Sequence, residues 1–411
     1  MNKTLIRKYA KTIANKGIGL RKGQQVVVNA PISAASFVEI LVEELYKCKA
    51  GRVEVNWSNS AITKAKFKYE SEKTLSELPN HVVEKAKYTY ENRIAKISIS
   101  SSDPDGLKGI NFKKMAIARK AGASLNKYLS EPYMASKVQW CVAAVPNVAW
   151  AKKVFPNLSK TQAVEALWDA ILKANHITKD NDPVKAWQIH DDTLHAKAEL
   201  LNKYNFKELR YKASNGTDFT IGLVNNHIWA GGSEGMVDDI PEFNPNMPTE
   251  EIFTMPHKDK VNGKVVSTKP LSYQGNLIEN FYFVFKDGEV VEYGAEKGKE
   301  ALDSLLSTDE GAKRLGEVAL VPYHSPISEL NILFYNTLFD ENASCHLALG
   351  NAYTMNIVGG TEAKEEDLIP QGYNKSLVHV DFMIGTSDLS ITGITQDDKE
   401  VEVFVNGDFA I

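Results

Sequence analysis

Hydrophobic positions recur along the first half of the chain in two alternating rhythms. Ile6, Tyr9, Ala10 and Ile13 fall on one face of a helix, which Gly17 and Gly19 close. Val26, Val27 and Val28 form a short apolar run that predicts a buried strand. Phe37, Ile40, Leu41 and Leu45 return to helical spacing, and Val53, Val55 and Trp57 alternate as a strand after Gly51. A helix-rich stretch leads to a strand near Ile94, Ile97 and Ile99, and a second leads to a strand within 138–145. Ser159, with Gln162 three residues on, predicts a capped helix carrying Val164, Leu167, Trp168, Ile171 and Leu172. Strand and helix in alternation predict a largely parallel sheet covered by helices.

Beyond Phe206 the rhythm changes to short alternating segments: LRYKAS (209–214), DFTIGL (218–223), KVVST (264–268), FYFVF (281–285) and EVVEYG (289–294). Asn215-Gly216, Asn262-Gly263 and Asp287-Gly288 read as turns between strands. One helix interrupts them near 297–306. The polar, proline-ended stretch ITKDNDP (177–183) is the expected boundary, followed by a further helix over 184–204. The expected organisation is an α/β N-terminal domain over 1–183 and a β-rich α+β C-terminal domain over 184–411.

Length, 411 residues, agrees with two domains. A net charge of −4 without a basic tract points away from nucleic acid as a partner. No GxGxxG follows a strand and no P-loop is present, so the first half carries no nucleotide signature; SSSDPDGLKG (100–109) reads as a polar turn. The N-terminal twenty residues are amphipathic and lack the apolar core of a signal peptide, and no apolar run approaches the roughly 20 residues a bilayer span needs. The expectation is a cytoplasmic protein with no membrane partner. Cys48, Cys141 and Cys345 form no CxxC pair, which excludes a cysteine zinc knuckle and makes a disulfide framework unexpected. Cys345, beside His346, reads as a small buried residue.

The chemistry concentrates in 316–381. His379-Val380-Asp381 lies in the strand-like run LVHVDFMIG, and residues two apart on a strand project from one face. That places an imidazole beside a carboxylate, a pair suited to a metal ion or to a plain His–Asp hydrogen bond. Glu317 opens the apolar run EVALVP, either as a ligand or as a solvated strand end. His346 precedes a run, CHLALGNAY, readable as a helix that would put Tyr353 two turns away on the same face; Gly350 weakens that reading. Glu250 and Glu251 sit in PNMPTEEIFTMPH (245–257), where His257 is a further ligand candidate or an exposed loop histidine. Two divalent ions bring four positive charges. Glu251, Glu317 and Asp381 supply three negative charges and a hydroxide the fourth, with neutral His346 and His379 completing a balanced set.

Taken together, PTEEIFTMPH, GEVALVP, DENASCHLALGNAY and HVDFMIG, in that order, resemble the M29 family of metallo-aminopeptidases, the aminopeptidase T and PepS group. The resemblance implies that Glu251 and Glu317 are the glutamate ligands, His346 and His379 the histidine ligands, Asp381 the aspartate ligand and Tyr353 the tyrosine lining the metal centre. Choosing Glu251 over Glu250 rests on register. It also implies a homodimer whose active sites face an enclosed cavity.

The expected activity is removal of the N-terminal residue from short peptides with a free N-terminus. Water would be activated by two divalent ions (zinc, cobalt or manganese), Glu317 would bridge them or act as general base, and Glu341 is a second candidate base. Tyr353 would stabilise the oxyanion through its hydroxyl. Two other readings stand beside it: a metal-dependent amidase on a non-peptide substrate, with the same metal residues, and a non-enzymatic peptide-binding or structural protein whose acids and histidines are ordinary surface or core groups.

Overall fold

The computed structural model describes the chain except Met1, Ser102, Pro104, Asp105, Ala135, 236–239, Gln274, Gly275 and the side chains of Phe112 and Met134. The chain forms two compact units, one of Met1–Gln188 with Ser233–Pro248 and one of Ile189–Gly232 with Thr249–Ile411.

In the first unit, helix α1 (Lys3–Thr12) buries Ile6, Tyr9 and Ala10, and a π-helical turn carries it on to Gly17. The predicted elements follow as strand β1 (Gln25–Pro31), helix α2 (Ala35–Lys47), strand β2 (Arg52–Ser58), helix α3 (Ser60–Tyr69), strand β3 (Ala95–Ser100) and strand β4 (Trp140–Ala144). These strands pair in parallel in the order β2-β1-β3-β4, and a short strand, Asn246–Met247, is added beside β4. The Tyr9 hydroxyl donates to the Ala144 carbonyl and accepts from its amide, both at 3.2 Å, fastening α1 to the end of β4. Ser159 caps helix α4 (Lys160–Ala174), and the predicted capping box with Gln162 is present. The stretch 100–109 lies partly outside the described residues.

The expected division at 183 differs from the compact units in two places. The polar stretch 177–183 belongs to the first unit, where the carbonyls of Thr178, Lys179 and Asn181 all accept from Lys8 Nζ, at 3.1, 2.8 and 2.6 Å. The change of unit comes inside helix α5 (Pro183–Tyr204), after Gln188. Ser233–Pro248 then returns to the first unit, where Asn244 donates to the Lys16 carbonyl at 2.8 Å.

The second unit is β-rich. Its larger, nine-stranded sheet is antiparallel and includes Glu208–Lys212, Asp218–Leu223, Pro256–Val266, Asn276–Lys286 and Glu289–Lys297. Asp287 and Gly288, both at positive φ (49° and 81°), make the predicted tight turn. Asn262-Gly263 does not turn the chain but lies inside Pro256–Val266. Gly263, at φ 112°, passes so close to the neighbouring strand that a Cβ would stand 2.4 Å from the Asp218 carbonyl oxygen.

The smaller sheet has five strands, all antiparallel: β8 (His379–Met383), β7 (His346–Gly350), β6 (Leu315–Leu320), β5 (Ile252–Thr254) and Ala230–Gly231, in that order. Val318, Leu320, Leu347, Leu349, Phe382 and Ile252 join the unit's main hydrophobic core, with Phe281, Phe283, Leu302 and Leu305. Alternation turns the intervening residues to the opposite face.

Candidate metal centre

The register of the small sheet builds the site. Glu317 pairs with Ala348, and Ala348 with Asp381, so three neighbouring strands place these residues in one row on one face. His346, two before Ala348, and His379, two before Asp381, share that face. Phe253 pairs with Ala319 on the same face, so Glu251, two residues earlier at the entry of β5, points the same way. Ala348 at the centre of the row leaves room between Glu317 and Asp381, two strand spacings apart, where a larger side chain would fill the space.

The side chains converge. His346 Nε2 lies 3.0 Å from Glu251 Oε2 and 3.5 Å from Glu317 Oε1. His379 Nε2 lies 3.5 Å from Glu317 Oε2 and 3.3 Å from Asp381 Oδ1. Two donor sets result, Glu251–Glu317–His346 and Glu317–His379–Asp381, each with its atoms within 4.8 Å of one another, and Glu317 belongs to both. The other ring nitrogen of each histidine is engaged by a backbone carbonyl: His346 Nδ1 by Ser344 at 3.0 Å and His379 Nδ1 by Asn351 at 2.6 Å. A carbonyl only accepts, so each Nδ1 carries a proton and each ring turns its Nε2 toward the carboxylates, where a cation could take the place of the second ring proton. This is the orientation a metal-binding histidine takes.

Electrostatics favour cations here. Burial, with Glu251 and Asp381 nearby, raises the Glu317 pKa against the pull of the two histidines. Burial, then Asp381 and Glu251, pushes Glu341 well above the usual carboxylate range. On His346, burial works downward but is outweighed by Glu251 and Glu317, which hold it well above its ordinary value. The same contest, with Asp381 as the main opposing group, puts His379 at about 9. So many carboxylates out of water, facing two imidazoles, form a donor set of oxygen and nitrogen that a divalent ion fits.

The remaining candidates divide. Tyr353 follows β7 in a loop; its ring packs 4.7 Å from the His379 ring and edge-on to Phe253. The helical reading of CHLALGNAY is corrected. His346–Gly350 is a strand, and Gly350, at φ 107° and closely approached by the Val378 carbonyl, ends it. Glu250 is buried, but its carboxylate faces His190 at 3.8 Å, while Glu251 faces His346. His257 is in neither donor set; its Nδ1 accepts from the Asp259 amide at 3.2 Å. Cys345 is buried, exchanges hydrogen bonds with the Val321 backbone, and burial pushes its thiol up to about 12.

Asn342 is a residue the sequence reading passed over. Fully buried, it accepts from the Glu250 amide at 2.7 Å and donates to the Leu338 carbonyl at 3.1 Å. It thereby ties the strand entry bearing Glu251 to the turn bearing Glu341. Its only sequence signal is an asparagine between two candidate residues.

Comparison with known proteins places this geometry in context. A model of the thermophilic metalloprotease (M29) family matches residues 2–409. The chain is 47% identical over 404 residues to "Aminopeptidase AmpS" of Bacillus subtilis, covering 98% of this chain and 97% of that protein. It is 42% identical over 408 residues to "Aminopeptidase PepS" of Streptococcus thermophilus, covering 99% and 98%. The solved structure of wild-type AmpT from Thermus thermophilus superimposes with a TM-score of 0.91 at 37% identity, over 100% of both chains.

Proposed function

The chain belongs to the M29 family of metalloproteases and is a metal-dependent aminopeptidase, and on that premise we propose that two divalent cations work together in its site. Glu251 and His346 would hold one and His379 and Asp381 the other, with Glu317, which belongs to both donor sets, serving both. The observation that supports this reading is the pair of histidines. Both keep the proton on Nδ1, against a backbone carbonyl, and direct Nε2 at a different oxygen of Glu317. Zinc, cobalt and manganese all suit the donors.

When bound, such ions polarise a scissile carbonyl and bring the deprotonation of water to near-neutral pH. The chain's own groups do the rest. With Glu317 serving both cations, Glu341, whose raised pKa nearby cations would bring back down, would take a proton from the attacking water and return it to the leaving amine; Asn342 Nδ2, 3.5 Å from Glu341 Oε1, steadies it. Tyr353, an uncharged phenol whose pKa is raised by burial and then by Glu317 and Asp381, donates its O–H to the developing oxyanion. The substrates are short peptides with a free N-terminus, and the working form is a homodimer. The support for both is the family's aminopeptidase membership and the resemblance of the motifs.

Stripping metal with a strong chelator abolishes hydrolysis of aminoacyl chromogenic substrates, and zinc, cobalt or manganese restores it. Undiminished turnover by metal-free protein contradicts the proposal.

A further inference from the structure

A second candidate binding place lies in the first unit, on the parallel sheet. The strand order β2-β1-β3-β4 reverses direction at β1, whose two neighbours lead the chain to opposite sides. In open parallel sheets the crevice beyond the carboxyl ends of the strands at such a reversal is where ligands bind. A cavity of 520 Å³ occupies this position, lined by residues that follow β1, β2, β3 and β4. Its size is within the range of small-molecule sites.

The cavity is preformed. The Ser101 carbonyl, just past β3, accepts from Ser33 Oγ past β1 at 3.2 Å and from Asn147 Nδ2 past β4 at 2.6 Å, so one oxygen joins three loops. Ser101 itself is 1% exposed, and its hydroxyl has no hydrogen-bond partner among the described residues. A buried hydroxyl without a partner is uncommon and wants an explanation; a ligand atom is one.

The lining also indicates what kind of ligand fits. Among the described lining residues Asp103 is the single ionisable one and none is lysine, arginine or histidine, which disfavours a doubly charged anion such as phosphate. Serine hydroxyls supply neutral hydrogen bonds. Ile32 and Val148, 51% and 47% exposed, offer an apolar wall.

We propose that this cavity binds a free α-amino acid: its ammonium group beside Asp103, its carboxylate among the hydroxyls of Ser58, Ser60 and Ser101, and its apolar side chain against Ile32 and Val148. Such a ligand is neutral overall and meets all three features of the lining. The inference draws on the aminopeptidase reading only in that free amino acids are what such an enzyme releases; the site itself shares no residue with the metal centre.

The test is calorimetric titration of the full-length, metal-loaded protein with L-leucine, in wild type and in His346→Ala, which disables the metal centre. Saturable binding persists in His346→Ala. Adding Ala149→Trp, which fills the cavity from an exposed position, weakens it by about tenfold or more, and so does adding Ser101→Val, which removes the hydroxyl. Leucinamide, lacking the carboxylate, binds about tenfold more weakly than leucine. Ala149→Trp alone leaves hydrolysis unchanged; if it fails to fold, Ile32→Glu serves in its place. Three results overturn the proposal: no saturable heat with wild type, binding that disappears in His346→Ala but survives Ala149→Trp, or displacement of leucine by equimolar orthophosphate. Loss of the aminopeptidase reading would show separately, as absent turnover in a protein that still binds leucine.

Discussion

The parallel sheet of the first unit and the small antiparallel sheet of the second use the same backbone rhythm for opposite ends. Along β1 and β3 the alternate residues Val26, Val28, Ala30, Ala95, Ile97 and Ile99 are buried, and the polar groups that line the cavity stand at or past the strand ends, at Ser33, Ser58, Ser101 and Asn147. Along β6, β7 and β8, alternation separates a packing face from a chemical face within the strands themselves: Val318, Leu347 and Phe382 enter the core, while Glu317, His346, His379 and Asp381 project the other way. Antiparallel pairing makes this possible because a sheet of that kind need be covered on one side only. Groups placed on strands are held by the ladder of backbone hydrogen bonds, and that suits ligands that must meet an ion to within fractions of an ångström.

Substitutions can break or sharpen this contrast. The largest effect is expected at the shared residue. Glu317→Gln lowers hydrolysis by more than about a hundredfold, beyond the usual range for groups that merely orient ligands, and the melting transition stays cooperative. Near-normal turnover would remove Glu317 from the chemistry. Ala348→Leu fills the middle of the chemical face, and elemental analysis should find little bound metal. On the packing face next to it, Leu347→Ala costs about 2–5 kcal/mol of stability in denaturant unfolding and leaves metal stoichiometry unchanged. If the two variants exchanged phenotypes, the assignment of faces would be reversed. Asn342→Ala, acting through the Glu250 amide and the turn beside Glu341, lowers metal affinity by about 10–100-fold, read by competition with a chromophoric chelator. Metal affinity unchanged by this substitution would leave Asn342 a structural tie only. The smallest effect belongs to the strand ends of the first unit, where Ala149→Trp changes hydrolysis by less than about twofold.

Much of this was legible in the chain because period and chemistry coincide there. His379-Val380-Asp381 announces a strand with two donors on one face, and Ile6, Tyr9, Ala10 and Ile13 announce a buried helical face. His346 was harder. CHLALGNAY has apolar residues at spacings that serve a helix or a strand, and what decides is long-range, the pairing of His346–Gly350 between two other strands. Asn262-Gly263 has turn chemistry, yet Gly263 is used for close approach to the Asp218 backbone inside a strand. The return of Ser233–Pro248 to the first unit leaves no periodic trace, since it depends on a two-residue strand and on bonds such as Asn244 to Lys16. Ala348 is invisible as a site residue because its contribution is the side chain it lacks.

Counting ions is the most direct check on the proposed sharing of Glu317 between two of them. Metal-free protein is titrated with cobalt, and bound metal per chain is measured by elemental analysis alongside the visible spectrum, in wild type and in Asp381→Asn. If Glu317 is shared, wild type takes up two ions per chain at saturation, and Asp381→Asn weakens one of the two selectively. One ion per chain at saturation, or equal weakening of every bound ion by Asp381→Asn, would contradict that sharing.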